Sequence, residues 1–401
     1  SIAQVHYMHY YPDNIVLTAF QELQTNRYLL KTERKDADRI NIFFSYGNEQ
    51  LPTIRGLNFN SDNAFIVETN AKKDSITYWL RDTLLVNQDT LAFEMNYLMT
   101  DSLGQLVSKT DTIEALAKTP YAKRIKAQQK EYESWFKLQE KKRKREEPYD
   151  SIYPTKPLEP KYSVAQAMDP NRPINIEIPT PPATLDTAGI HLYTKIDTLW
   201  YNANYEFHQR DSLLRSYELL VDWRPGAEYS FEVDSAAIID IYGMACKPYK
   251  QGIKVKTLDD YATLFLDISS YTDSAAVVVQ LLDKSDKPLT QSKMGTDHTV
   301  AFYYVNPGTY YARAFIDRNG NGVWDTGNYD ADEQAEAVYY YPREIETKAK
   351  FDITLSWNLT QLPLNQQKPS ALVKKKNDKK RQKKNRNADR AAQLGIKYIK
   401  K

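Results

Sequence analysis

At 401 residues the chain is longer than one hydrophobic core usually supports, so several domains are expected, with three as the working number. A single cysteine, Cys246, excludes an internal disulfide, a CxxC metal site and a cysteine-rich scaffold; its plain reading is a small apolar packing residue. Hydrophobic residues make up 41% of the chain, 30 tyrosines favour strands, no run approaches the ~18 apolar residues of a membrane helix, and the net charge of +2 hides an uneven distribution.

From Asn14 to about Ile113 the chain reads as short strands. In Leu91 to Met99, Leu91, Phe93, Met95, Tyr97 and Met99 alternate with Ala92, Glu94, Asn96 and Leu98, the period of two that marks a half-buried strand. Asn14 to Phe20, Arg39 to Tyr46, Ala64 to Thr69 and Ser75 to Leu80 repeat the pattern at sandwich spacing. After Pro120 the texture changes. Tyr121 to Glu147 has neither Gly nor Pro and sets Tyr132, Trp135 and Phe136 among charges, which predicts a helix. Its basic end, Lys141 to Arg145, suits the negative pole of the helix dipole and leaves open a contact with an anionic surface. Prolines 148, 154, 157 and 160 predict a stiff extended linker.

A second β segment follows from Ile174, with strands at Ile190 to Lys195, Ser216 to Asp222, Tyr229 to Val233 and the apolar run Ala236 to Gly243. A third runs from about Thr257 to Leu359, with strands at Ala262 to Ile268, Ala275 to Leu282, Thr299 to Val305 and Thr309 to Ile316. Asn306-Pro307-Gly308 between the last two predicts a tight turn closing an antiparallel hairpin. From Lys368 onward fourteen Lys and Arg stand against Asp378 and Asp389, a net +12, so that the rest of the chain carries about −10. Such a tail is expected to be disordered for most of its length, with a short terminal amphipathic helix through Ala391, Leu394, Ile396 and Ile399 as an alternative.

One motif carries chemistry. Asp317, Asn319, Asn321 and Asp325 place oxygens at positions 1, 3, 5 and 9 of a loop, with Gly322 at position 6 and the Val323 carbonyl at position 7. A hard cation such as calcium takes several oxygens at once, and a glycine permits the sharp turn. Position 12 is Asn328 instead of the bidentate Glu, and a strand precedes the loop, so a weak structural site completed by Asp330 or Asp332 is expected; the alternative is an Asx-rich turn bonded to its own backbone. The histidines, His6, His9, His191, His208 and His298, form no metal-ligand spacing, and no nucleophile elbow or phosphate loop is present. No enzymatic activity is expected.

The run from Asn306-Pro307-Gly308 through Asp317 to Tyr329, with Tyr340-Tyr341-Pro342 to Ile345 after it, resembles the C-terminal region of Ig-like-domain surface lipoproteins of Bacteroidota. Ser75 to Leu80, Asp89, Asn96-Tyr97 and Thr100-Asp101-Ser102 are similar to the upstream module of that family, so the likeness covers most of residues 10 to 360. The resemblance implies an all-β, multi-domain chain of antiparallel Ig-like (SbsA-like) and transthyretin-like or CnaB-like sandwiches, with one charged helix and a basic tail. The segments become 1–119, an Ig-like sandwich; 120–162, helix and linker; 163–256, a bacterial Ig-like sandwich; 257–360, a transthyretin-like sandwich with the Asp/Asn loop; and 361–401, the tail. It also implies an extracytoplasmic address at the outer membrane or cell surface. The family's lipidated cysteine would lie upstream, making this chain a C-terminal fragment. The function expected is that of a non-catalytic structural or interaction protein, the alternatives being a subunit of an outer-membrane assembly or secretion complex and a carbohydrate-binding surface protein. An envelope protein is the expected partner, with an anionic protein or membrane surface on residues 368–401 and nucleic acid disfavoured.

Overall fold

The computed structural model describes residues 20–21, 25–271, 275–373 and 386–395. His6 and His9, all of the strand expected at Asn14 to Phe20 except Phe20 itself, and most of the basic tail lie outside the described residues.

The first sandwich arises where apolar residues recur at every second position. It comprises β1 (Leu29–Glu33), β2 (Arg39–Phe44), β3 (Thr53–Gly56), β4 (Phe65–Thr69), β5 (Ser75–Leu80), a one-turn helix α1 (Thr83–Asn87), β6 (Thr90–Thr100) and β7 (Leu106–Leu116). Ile40, Ile42 and Phe44 of β2 and Leu91, Phe93, Met95 and Tyr97 of β6 point into one core, all nearly inaccessible. The sheets are ordered β1-β2-β5-β4 and β3-β6-β7. This is the four-plus-three order of an immunoglobulin constant-type sandwich, with β7 as its last strand. A buried Arg34 ties the edge of this core together, donating to the carbonyls of Ala37, Leu85, Val86 and Gln88. Burial, and secondly the nearby Arg124, lower its pKa to about 10.

Helix α2 (Tyr121–Lys144) follows. Only Gln139 of it is buried, and its amide oxygen accepts from Asp150 N at 3.0 Å. The segment after Pro148, expected to extend as a stiff linker, instead folds back on the helix, where Tyr153 packs on Tyr132 and Trp135 at 5.3 and 5.1 Å.

The second sandwich holds β8 (Lys161–Tyr162), β9 (Ala167–Met168), β10 (Ile174–Glu177), β11 (Pro182–Leu185), β12 (Ile190–Ile196), β13 (Leu199–Asn202), β14 (Glu206–Gln209), β15 (Ser216–Leu220), β16 (Glu228–Val233), β17 (Ile238–Asp240) and β18 (Tyr249–Val255). Its facing sheets, β8-β10-β15-β14 and β13-β12-β16-β18-β9, repeat the immunoglobulin order, and β9 runs parallel to the last strand β18. The residues from Glu22 to Leu258, the two sandwiches and α2 together, form one compact unit.

The other unit contains the third sandwich: β19 (Ala262–Ser269), β20 (Ala276–Leu282), β21 (Pro288–Lys293), β22 (Thr299–Val305), β23 (Gly308–Asp317), β24 (Val338–Tyr340), β25 (Ile345–Thr347) and β26 (Asp352–Asn358). Its wiring differs, with β22-β19-β26 facing β21-β20-β23-β24 and the first strand central and parallel to the last. The Asn306-Pro307-Gly308 turn closes no hairpin: β22 pairs with β19 and β23 with β20, so the turn carries the chain from one sheet to the other. Thr347 holds that crossing, its hydroxyl donating to the Asn306 carbonyl at 2.9 Å.

Residues 361–373, expected to belong to the tail, also pack on this sandwich. Buried Gln367, in the short helix α3 (Leu364–Gln367), donates to the Leu359 and Leu362 carbonyls and accepts from Tyr340 N. Leu372 joins Leu282 and Tyr311 in a small cluster, and Lys368 pairs with Asp286 at 2.6 Å. Farther on, helix α4 (Arg386–Gln393) spans part of the segment expected to be disordered.

Candidate functional site

The Asp/Asn loop begins where β23 leaves the core. Asp317 is 3% exposed, so its carboxylate must be satisfied internally, and it is: Oδ1 accepts from Gly320 N (2.8 Å) and Asn321 N (3.1 Å), and Oδ2 from Gly322 N (2.9 Å). Gly320 and Gly322, both at φ +75°, supply the left-handed turns that curl these amides around the carboxylate. Asn319 and Asn321 accept from the amides two residues on, at Asn321 and Val323. Their Nδ2 groups both donate to Asp325 Oδ2, at 2.7 and 2.8 Å.

The loop thus brings Asp317, Asn319, Asn321 and Asp325 together but leaves Asp330 out. Asp330 lies in the next turn, exposed, with its amide held by Asn328. A third carboxylate of the loop is Glu336, which sequence reading missed. It is 6% exposed and accepts from Arg318 N (2.8 Å) and Asp325 N (3.0 Å), while its carbonyl accepts from Trp324 Nε1 (2.9 Å). Eleven residues separate it from Asp325, so no local motif marks it; the only sequence signal is a Glu just ahead of the next strand. These bonds make the Asx-rich turn, in which Asp325 Oδ2 already accepts from two amide donors. Among the described residues no three His, Cys, Asp or Glu side chains are grouped to hold a metal.

A second constellation joins the first two sandwiches. Glu68 on β4 is 3% exposed. Arg215, just before β15, meets it through Nε (3.2 and 3.1 Å) and Nη2 (3.0 Å), and its Nη1 donates to the Ile178 carbonyl at 3.1 Å. The guanidinium lies 5.2 Å from the ring of buried Trp79, with Arg39 4.7 Å from the same ring. A planar guanidinium can chelate a carboxylate and stack on an aromatic face at once, whereas lysine offers only a point charge. Beside it, Tyr242 donates to the Leu80 carbonyl (2.7 Å) and Ser212 to the Thr69 carbonyl (2.7 Å). Burial raises the pKa of the Tyr242 phenol, and burial likewise raises that of nearby Asp38.

A third feature is the cleft between α2 and the segment folded back on it. It encloses about 460 Å³ and is lined by Tyr132, Trp135, Phe136, Arg143, Tyr149 and Tyr153. Phe136, Tyr149 and Tyr132 remain roughly half exposed.

No catalytic geometry accompanies these features among the described residues. His191 and His208 form exposed pairs with Asp234 (2.9 Å) and Glu206 (3.2 Å), and His191 stacks on Tyr193. Cys246 is buried in the second core, accepting from Ile238 N and donating to the Asp234 carbonyl, as a packing residue does.

No family model matches the chain, and no curated protein does. Among solved structures it is similar to the Bacillus anthracis TIE protein, at 9% identity and a TM-score of 0.17 over 84% of this chain and 58% of that one. It is also similar to BcpA, the major pilin subunit of Bacillus cereus, at 8% identity and a TM-score of 0.21 over 80% and 84%. A third is native alpha-2-macroglobulin from Escherichia coli spanning domains MG0-NIE-MG1, at 9% identity and a TM-score of 0.21 over 81% and 98%. At such scores these likenesses carry no argument, and the assignment of the fold rests on the strand orders above.

Proposed function

We propose that the chain is a non-catalytic cell-surface structural or interaction protein that presents β-sandwich modules from a stiff two-module body. The observation that carries this reading is the Glu68–Arg215 clamp. A carboxylate this deeply buried and bidentately held is lost only at high cost, so it fixes the angle between the first two sandwiches. Many cell-surface domains use such sandwiches as spacers that carry loops and edges. The extracytoplasmic, outer-membrane address, with a lipid anchor upstream, rests on the Bacteroidota resemblance. Its test is fractionation of the native host: recovery in the outer-membrane fraction with protease-accessible sandwiches supports it, and recovery with cytoplasmic proteins refutes it.

The anionic partner proposed for residues 368–401 keeps its support from the charge of that segment, although Lys368 itself is already paired with Asp286. Membrane pull-down with and without residues 374–401 tests it, retention after truncation speaking against the assembly-subunit reading. Structural calcium at Asp317, Asn319, Asn321, Val323, Asp325 and Asp330 finds less support, since the loop bonds itself and Asp330 stands apart. The α2 cleft favours a second reading, carbohydrate binding, because half-exposed rings suit the apolar faces of sugars. A glycan array tests it: binding abolished by Trp135→Ala supports it, and an empty array refutes it.

A further inference from the structure

Among the described residues, the last strand of the first sandwich is long, exposed and unpartnered on one side. β7 pairs with β6 over all eleven residues, Leu106 opposite Thr100 through Leu116 opposite Thr90. Ala117 N donates to Asp89 O (2.8 Å) and Asp101 N to Gln105 O (2.9 Å), which fixes the phase of the ladder. Odd-numbered residues of β7 turn their backbone groups toward β6, and even-numbered ones turn theirs away. The isolated bridge between Arg34 and Ala117 closes the outer edge at one end, and the hairpin turn at residues 101–105 ends the strand at the other. Between them, from Leu106 to Glu114, no other strand of the described residues pairs with β7. Leu106, Ser108, Thr110, Thr112 and Glu114 are all exposed.

Natural sheets guard such edges with charge, bulges or cover, because an open edge is a template for another strand. Here the charges complement themselves. The free stretch has its midpoint at Thr110. A second copy laid antiparallel about that residue sets Lys109 opposite the other copy's Asp111, Asp111 opposite its Lys109, Val107 opposite its Ile113 and Ser108 opposite its Thr112. Every backbone group that points outward then finds a partner, giving about ten new hydrogen bonds. Leu106 and Glu114 face each other at the two ends. Neighbouring registers do worse at the centre: centring on residue 109 or 111 places Lys against Lys or Asp against Asp, and centring on 108 or 112 leaves both Lys109 and Asp111 without an opposite charge across the ladder. Opposite charges and Thr–Thr pairs directly across an antiparallel ladder are favourable, like charges unfavourable.

We infer that two copies of this chain pair through β7 in the register centred on Thr110, joining two three-stranded sheets into one continuous six-stranded sheet. The inference goes beyond the surface reading and does not depend on it, since it is measured on the purified chain.

Cysteine trapping reads the register. Residues directly opposed in a hydrogen-bonded pair have Cα atoms about 5.5 Å apart, within disulfide reach, and Cys246 is buried and does not compete. Under mild oxidation the full chain carrying Thr110→Cys is expected to form a covalent dimer. Thr112→Cys alone is not, and a mixture of Thr112→Cys with Ser108→Cys is expected to form the mixed dimer. Equal trapping of Thr110→Cys and Thr112→Cys, or none by either, overturns the inference. In sedimentation equilibrium Lys109→Asp is expected to weaken dimerisation about tenfold, and the exchanged pair Lys109→Asp with Asp111→Lys to restore it. A swap that fails to restore dimerisation while the far-ultraviolet spectrum stays native contradicts the register.

Discussion

The first two sandwiches share one strand order but finish it differently. In the second, the last strand β18 is flanked by β9, and Lys254 N donates to the Gln166 carbonyl at 2.7 Å. In the first, β7 has no such cover from Leu106 to Glu114 among the described residues. The same topology therefore yields one closed edge and one open one, and the difference lies in a short strand before β10 that the first sandwich has no counterpart for among the described residues. The two also contribute unequally to their joint: the first supplies the buried carboxylate, the second the guanidinium that holds it.

The joint should show the largest effect. Arg215→Ala strands Glu68 in a buried position, and a loss of about 3–5 kcal/mol is expected from chemical denaturation, with the double variant Glu68→Ala, Arg215→Ala losing less than the sum of the two single variants. Additive losses would mean that the clamp does not couple the two sandwiches.

The edges come next. Lys254→Pro removes a ladder donor from a covered strand and should cost about 3 kcal/mol, whereas Thr110→Pro removes a donor that no strand of the same chain accepts and should cost the isolated monomer, measured at high dilution, under about 1 kcal/mol. Equal costs would erase the distinction between the two edges. In the third sandwich, Asp317→Ala unties three amides and should cost about 2–3 kcal/mol, while Asp330→Ala should be near neutral, within about 0.5 kcal/mol. With the loop bonded to itself, calcium followed by chelator should leave the melting midpoint of that sandwich unchanged; a rise with calcium that chelator reverses would support the metal reading instead.

The smallest effect is one of pH. The Tyr97 phenol, donating at 2.6 Å, and Lys109 hold the Asp111 pKa below its ordinary value. A lowered folded pKa contributes stability that is present above the unfolded carboxylate pKa and lost as pH falls through the folded one. Asp111→Asn should therefore flatten the loss of stability below the ordinary carboxylate range and leave the slope near neutrality alone, as an acid titration of unfolding would show.

How much of this was legible in the sequence follows from the physics of each part. Strands with one buried face announce themselves by alternation, as β2, β5, β6 and β19 do. β7 did not stand out, because most of its residues are exposed on both faces and leave little period to detect. The Asp317 loop was legible because its residues are neighbours, but Glu336 reaches it only through the return of the chain. The clamp was invisible: Glu68 and Arg215 lie 147 residues apart and read singly as surface charges. The Asn306-Pro307-Gly308 turn was found, yet turn residues alone do not say whether a chain returns to its own sheet or crosses to the facing one. Residues 361–373 looked like tail because their anchors, Gln367 and Leu372, matter only once the third sandwich offers them carbonyls and an apolar cluster.

Scanning calorimetry of the full chain tests the central claim most directly, that the first two sandwiches are one stiff body. The two sandwiches are expected to unfold in a single transition in the native chain, and Arg215→Ala is expected to split it into two. Two separate transitions for these sandwiches in the native chain, unchanged by Arg215→Ala, would contradict it.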